Sequence, residues 1–263
     1  MLTEELNDEQ PIPSPDPSLP WADRVIIRTE VGSTAHGTGL PGKEDYDEMG
    51  VMIYPWDAAI GLSRSDDTIV YRPGRAPTER SQAGDYDLVV YSALKFAKLC
   101  SNGNPSVLML LFGPLRFSTP LGDSLRELAP AFWSDSARYR FLGYSRKQRE
   151  RLEGSRGGKH TNRPELVEQF GYDTKYAMHM IRLGFQGIEY LKTGRLTLPI
   201  PEYAGDILRA IRRGDYDLAQ VMAIADYNEN ELATMASDAP PKPDIKAINA
   251  WLRTVHEEAL RRD

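Results

Sequence analysis

Apolar and polar positions follow two different patterns in the two parts of the chain. Between residues 24 and 120, short apolar and β-branched runs such as 25–31 and 84–91 are separated by turn-forming residues, which predicts strands. Farther along, a spacing of three and four predicts helices over residues 121–132, 136–153, 173–192, 204–213 and 218–236 and from residue 244. We therefore predict an α+β fold, with a small mixed sheet over residues 21–120 and an all-helical domain over 121–263.

The first 20 residues differ from both patterns. They contain five prolines, five acidic residues and no basic residue, so they lack the apolar side chains needed to offset ordering entropy and predict a disordered or loosely docked tail. They also lack the basic start and apolar core of a signal peptide, and no apolar run approaches the roughly 20 residues of a membrane span. We therefore expect a cytoplasmic protein without membrane contact.

The net charge of −6 argues against a protein that coats nucleic acid, because such binding depends on many Lys and Arg contacts to phosphate. The charge is unevenly distributed, however. Residues 138–163 hold nine Lys or Arg residues against two acidic ones, and an anionic substrate could be drawn there.

A glycine and a serine, Gly32 and Ser33, follow directly on the first predicted strand. Glycine allows a tight turn because it has no Cβ, and a serine hydroxyl can cap a following helix. The first turn of that helix would present unpaired N–H groups and the positive end of the helix dipole, which stabilise phosphate. The pair therefore predicts a site for a triphosphate.

Two aspartates, Asp45 and Asp47, begin the next predicted strand, where residues two apart share a face. Their charges repel and raise each other's pKa unless a cation lies between them, and Mg²⁺ prefers such oxygen ligands. An Asp-x-Asp pair alone is more often a solvated turn. Its combination with Gly32, Ser33 and a further glycine, Gly37, favours a metal site beside a phosphate-binding turn.

The predicted helix over 173–192 carries a polar, mostly cationic stripe. Its members are Lys175, His179, Arg182 and Gln186, opposite the apolar Met178, Ile181, Phe185 and Ile188. Alone, such a stripe is typically a solvated helix face. Beside a phosphate site it would supply positive charge to a triphosphate, so we predict that Lys175, His179 and Arg182 bind the nucleotide.

These residues resemble a known signature. Gly32-Ser33, Gly37 and the run Asp45-Tyr46-Asp47-Glu48-Met49-Gly50-Val51 are similar to the DNA polymerase beta superfamily of nucleotidyltransferases, and more narrowly to its bacterial and phage branch associated with RNA repair. The resemblance implies that the paired aspartates hold two Mg²⁺ ions, with Mn²⁺ as a substitute, and that a carboxylate on a later strand completes the site. Asp87 takes that place, and Asp85, which shares its face, is the alternative.

The resemblance also implies a reaction, in which a nucleoside monophosphate moves from an NTP such as ATP to an acceptor hydroxyl and pyrophosphate is released. RNA or another nucleic acid is the favoured acceptor, while a protein side chain or a small molecule remains open. Glu44 and His36 depart from the serine and the aromatic residue that are frequent in the superfamily, and both leave the acceptor and the nucleotide undecided. A catalytically silent nucleotide-binding or antitoxin-like module with a protein partner is the alternative from another class.

Overall fold

The computed structural model describes residues 13–39, 45–62, 66–76, 79, 82–154 and 163–263. Residues 1–12 of the predicted tail, Glu44, parts of the polar segment 63–83 and residues 155–162 of the basic segment lie outside that part. Within it, no helix is both long enough and apolar enough to cross a membrane.

The strands form one mixed sheet in the order β3-β4-β2-β1-β5. Their bounds are β1 Val25–Glu30, β2 Tyr46–Met52, β3 Thr68–Tyr71, β4 Tyr86–Ser92 and β5 Leu115–Ser118. Only β2 and β4 run parallel, and each of the other paired strands is antiparallel. The α+β prediction with a mixed sheet is confirmed. Strand β5 was not predicted, because four residues with a half-exposed edge give too short an alternation to recognise.

The register of the parallel pair brings two acidic positions together. Asp47 lies directly opposite Asp87, and the two strands continue in register from Tyr46 beside Tyr86 to Met52 beside Ser92. Neighbouring strands are about 4.8 Å apart, so the two aspartate backbones are held close at the same edge of the sheet.

The helices connect and cover these strands. In the described part of the chain they are α1 Gly32–His36, α2 Trp56–Ile60, α3 Ala93–Ser101, α4 Pro105–Phe112, α5 Pro120–Glu127, α6 Ala129–Phe132, α7 Ala137–Leu152, α8 Pro164–Phe170, α9 Thr174–Thr193, α10 Glu202–Arg213, α11 Leu218–Thr234 and α12 Ile245–Arg262. The hydroxyl of Ser92 accepts a hydrogen bond from the Lys95 N–H at 3.2 Å and so caps the start of α3. Helix α9 begins at the Asp173 cap and ends at Gly194 in the left-handed conformation.

One hydrophobic core joins the sheet to the helices. Phe96 on α3, Phe132 on α6, Phe141 on α7 and Tyr190 on α9 are all fully buried in it. Burial of each such side chain contributes roughly 1.5–3 kcal/mol. Helix α9 packs against α7, α10 and α11, so its position is fixed from several sides and its polar stripe has a defined direction.

Candidate active site

A cleft of about 830 Å³ lies between the sheet and the helices. The predicted site residues that line it are Gly32, Ser33, Asp45, Asp47, Lys175, His179 and Arg182. The structure therefore brings the turn, the first aspartate pair and the cationic stripe to one place. Gly37 and Asp87 are not among the residues that line the cleft.

Gly32 contacts the Asp47 carboxylate so closely that only glycine fits. Its φ is +75°, and a Cβ added there would lie 2.1 Å from Oδ2 of Asp47. The Val31 N–H also donates to the Asp47 carbonyl at 2.8 Å. The close contact at Gly32 and the backbone hydrogen bond of Val31 thus hold the start of α1 next to the Asp47 carboxylate.

The other two turn residues, Ser33 and Gly37, lie at opposite ends of α1. The N-cap of α1 is Val31, without a side-chain hydrogen bond, so the prediction that the Ser33 hydroxyl caps this helix is wrong. The helix starts at Gly32, two residues earlier than a Ser33 cap would place it, and Ser33 is its second residue. Gly37 ends α1 in the left-handed conformation, and its carbonyl accepts a hydrogen bond from Arg209 at 2.8 Å, which ties α1 to α10.

Negative charge is concentrated at the sheet side of the cleft. Asp45 immediately precedes β2, and Asp47 is its second residue. Burial, followed by the charges of Asp45 and Asp87, raises the pKa of Asp47 to about 6, although Lys175 opposes the shift. Two closely spaced carboxylates with too little positive charge between them are a donor set that suits a hard divalent cation.

The Asp87 carboxylate is paired with arginine side chains. It accepts a hydrogen bond from Arg75 and lies 3.2 Å from Nε of Arg72, while Arg75 also donates to Asp85 at 2.8 Å. The Arg75 side chain is only 9% exposed. Across the described residues no group of three or more His, Cys, Asp or Glu side chains is arranged to hold a metal ion. The role of Asp87 as third metal ligand therefore stays a prediction, as does the alternative, Asp85.

A neutral histidine connects the turn to the stripe. His36 is buried on α1, with Nδ1 beside the Gly32 carbonyl and Nε2 beside Nη1 of Arg182. Because arginine can only donate, Nε2 accepts and Nδ1 carries the proton that it donates to Gly32. Burial and the Arg182 charge hold the pKa of His36 well below its usual value. The sequence showed His36 only as a departure from the superfamily pattern.

The stripe on α9 is not a solvated helix face, because Lys175, His179 and Arg182 are half-buried and line the cleft, and Gln186 is buried. His179 Nδ1, Arg182 Nε and Gln186 Nε2 are buried without a hydrogen-bond partner among the residues that the structure describes. Burial lowers the pKa of Arg182 to about 10, which leaves it charged at neutral pH. Each buried polar group without a hydrogen-bond partner lowers the stability of the fold by roughly 1–3 kcal/mol. A bound anion would accept a hydrogen bond from Arg182 and remove that cost for the arginine. Met178, predicted on the opposite side, also lines the cleft.

Two further arginines line the helical side of the cleft: Arg163, which ends the predicted basic segment, and Arg212, which the sequence analysis missed. Arg163 precedes α8 and pairs with Asp173 at 3.0 Å, and Arg212 lies in the last turn of α10. Burial and then these two charges lower the pKa of Lys175. No local pattern marked Arg212, because its proximity to Lys175 arises only when the helices pack.

Most of the basic segment 138–163 is committed to other contacts. Arg146 and Arg149 of α7 pair with Glu229 of α11 at 3.3 and 3.2 Å. Among the described residues of this segment only Arg163 lines the cleft. Arg146 and Arg149 therefore join α7 to α11 and do not line the cleft, and attraction of an anionic substrate by the segment as a whole stays a prediction.

Comparison with known proteins identifies the family. A solved structure of a nucleotidyltransferase-like protein from Exiguobacterium sibiricum 255-15 is 10% identical, with a TM-score of 0.29, and the match covers 89% of this chain and 69% of that one. No curated protein sequence matches. The family model described as the RNA repair pathway DNA polymerase beta family matches residues 4–253. Since that match extends over nearly the whole chain, the protein belongs to the RNA repair pathway DNA polymerase beta family.

Proposed function

We propose that the protein is a metal-dependent nucleotidyltransferase that moves a nucleoside monophosphate from an NTP to an RNA hydroxyl. The observation that carries the proposal is one cleft in which Asp45 and Asp47 face the cationic side chains of Lys175 and Arg182. Carboxylates of this kind bind divalent cations, and buried cations bind phosphate. Membership of an RNA repair family supports RNA as the acceptor.

The carboxylates fit the metal ions that the family implies. Asp45 and Asp47 would hold two Mg²⁺ ions, or Mn²⁺ in their place, because burial and then the charges of Asp45 and Asp87 raise the pKa of Asp47, and a bound cation would stabilise its ionised form. Asp87 is the proposed third carboxylate. When bound, the ions supply Lewis-acid stabilisation of the phosphate charge and lower the pKa of the acceptor hydroxyl.

The protein's own contribution is mainly positioning. In the proposed reaction the acceptor oxygen bonds to the α-phosphorus, the bond from that phosphorus to the β-phosphate bridging oxygen breaks, and pyrophosphate leaves. The close turn at Gly32 and Ser33 would admit the terminal phosphates. Lys175 and Arg182 would hold the charge that develops on the phosphates, and His36 keeps Arg182 directed into the cleft.

A nucleotide-binding module without transfer activity is the second candidate. The observation that favours it is the pairing of Asp87 with Arg72 and Arg75, which occupies the third carboxylate with the protein's own cations. A protein acceptor in place of RNA is a variant of the first candidate.

One experiment separates these functions. The purified protein is incubated with α-labelled NTPs, total RNA and either Mg²⁺ or Mn²⁺, alongside Asp45→Asn and Asp47→Asn, with the surface variant Asp226→Asn as control. Transfer of label to RNA that falls by at least about 100-fold in the cleft variants, but not in the control, supports the proposal. Label on protein indicates a protein acceptor, and NTP binding without label indicates the silent module. Full transfer by either cleft variant would refute the metal assignment.

A further inference from the structure

At the helical end of the cleft, the described basic residues outnumber the acidic ones. Arg163, Lys175 and Arg212 line this end, while Glu165 of α8 is the acidic residue that lines it with them. Asp173 is already paired with Arg163 at 3.0 Å and caps α9. The cluster therefore keeps a cationic surplus toward the open cleft.

Arg212 stands out among the arginines of its own helix. Arg209 pairs with Asp206 at 2.5 Å, and Arg213 pairs with Asp215 at 2.7 Å. Arg212 has no ion pair or hydrogen bond with any described residue, although it is half-buried. Burial and Arg163 lower the pKa of Arg212, although the charge of Asp173 opposes the shift. A charge kept in this way beside a cleft is typical of a site for an anion.

Arg163 is held in place before any ligand arrives. Besides its ion pair with Asp173, its guanidinium lies 4.9 Å from the centroid of the Tyr176 ring. A guanidinium that is already fixed loses little entropy when it binds phosphate. The partner of this cluster is therefore a compact anionic group.

The cluster is separate from the cation at the Gly32 turn. Lys175 precedes Arg182 by seven residues on α9, which corresponds to about 10 Å along the helix axis. Arg182 is held beside the turn by His36, whereas Arg163 and Arg212 lie around the start of α9. Arg163 and Arg212 are thus separate from Arg182, and Lys175 is near both ends, because its pKa responds to Arg163 and Arg212 as well as to Asp45 and Asp47.

We propose that Arg212 and Arg163, beside Lys175, form a second anion subsite that binds a backbone phosphate of a single-stranded RNA acceptor. The inference rests on the proposed function, since it assigns the first site to the NTP and the second to the strand that receives the nucleotide. A protein with a net charge of −6 repels RNA overall, so a local cationic site is needed to hold the strand.

The test measures binding of a fluorescein-labelled single-stranded RNA oligonucleotide by anisotropy, without NTP, over a range of salt concentrations. For Arg212→Ala we expect about a ten-fold weaker RNA affinity and a salt slope smaller by about 0.7, because one phosphate contact is lost. Arg213→Ala, next to it but paired outward with Asp215, should match the wild type. The affinity for ATP with Mg²⁺, measured separately, should stay within about two-fold for both variants.

Each other outcome has a defined meaning. Wild-type RNA affinity and slope in Arg212→Ala, or no RNA binding by the wild type, would overturn the proposal. So would a loss of ATP affinity as large as the loss of RNA affinity, because the cluster would then serve the triphosphate. Arg212→Lys keeps the charge and should restore most of the RNA affinity at an unchanged melting temperature, which excludes misfolding as the cause. If the wild type transfers no nucleotide while Arg212→Ala still loses RNA, the proposed function fails and the subsite stands.

Discussion

Replacing Asp47 by asparagine should stabilise the metal-free protein at neutral pH, even though it removes a charge that the proposed reaction needs. Burial, and then Asp45 and Asp87, raise the pKa of Asp47 from 3.8 to about 6. One unit of pKa shift corresponds to about 1.4 kcal/mol, so the ionised carboxylate costs the folded state roughly 3 kcal/mol. Asparagine has nearly the same shape without the charge, and avoids this cost.

The stability that Asp47→Asn gains over the wild type should increase with pH. Because the pKa of Asp47 is higher in the folded state than the ordinary 3.8, the folded state binds the proton more tightly. Below about pH 3 both states are largely protonated, and the wild type and the variant should be equally stable. As the pH rises from about 4 to about 6 the wild type loses stability relative to the variant, and above about pH 6 the difference stays constant.

The measurement is urea denaturation of both proteins at pH 4 and pH 8 in the presence of a chelator. At pH 8 the unfolding free energy of Asp47→Asn should exceed that of the wild type by up to about 3 kcal/mol, and at pH 4 by only about 0.5 kcal/mol. The control is Asp226→Asn, whose side chain is 67% exposed and which should show no such dependence. Equal stabilities at pH 8, or a larger gain at pH 4, would refute both the charge repulsion at Asp47 and the electrostatic argument for a cation there.

Two further predictions concern the turn and the third carboxylate. Gly32→Ala and Gly74→Ala both force alanine into a positive φ, which costs about 1–2 kcal/mol. At Gly32 the new Cβ would also clash with the Asp47 carboxylate, whereas at Gly74 nothing lies within 4 Å of it. Thermal melts should therefore show a clearly larger loss for Gly32→Ala, and equal losses would contradict the close contact. Arg75→Ala removes a cation paired with Asp87, so Mn²⁺ affinity, measured by calorimetry or electron paramagnetic resonance, should rise by on the order of ten-fold. Gly74→Ala serves again as the control, and an unchanged or weaker Mn²⁺ affinity in Arg75→Ala would show that Asp87 is no metal ligand.

Local sequence patterns were enough to predict most of the strands and helices. The β-branched runs before Gly32 and after Asp47 became β1 and β2, and the periodic segment 173–192 became α9, because strand and helix propensity depend on neighbours in sequence. The sequence also singled out Asp45 and Asp47 from their spacing, and the structure places both at the cleft. The short edge strand β5 was missed since its pairing with β1 is set by residues far away in the chain.

Only the tertiary structure decided which charges meet. Arg182 reaches His36 across 146 positions of sequence, and Arg212 comes to lie near Lys175 because α10 packs on α9. Burial then changes the protonation behaviour of these groups, since it lowers the pKa of His36, which is therefore neutral, and lowers the pKa of Lys175. Residue type and spacing can name a carboxylate or a cation as a candidate, but its partner and its solvation depend on packing between distant segments.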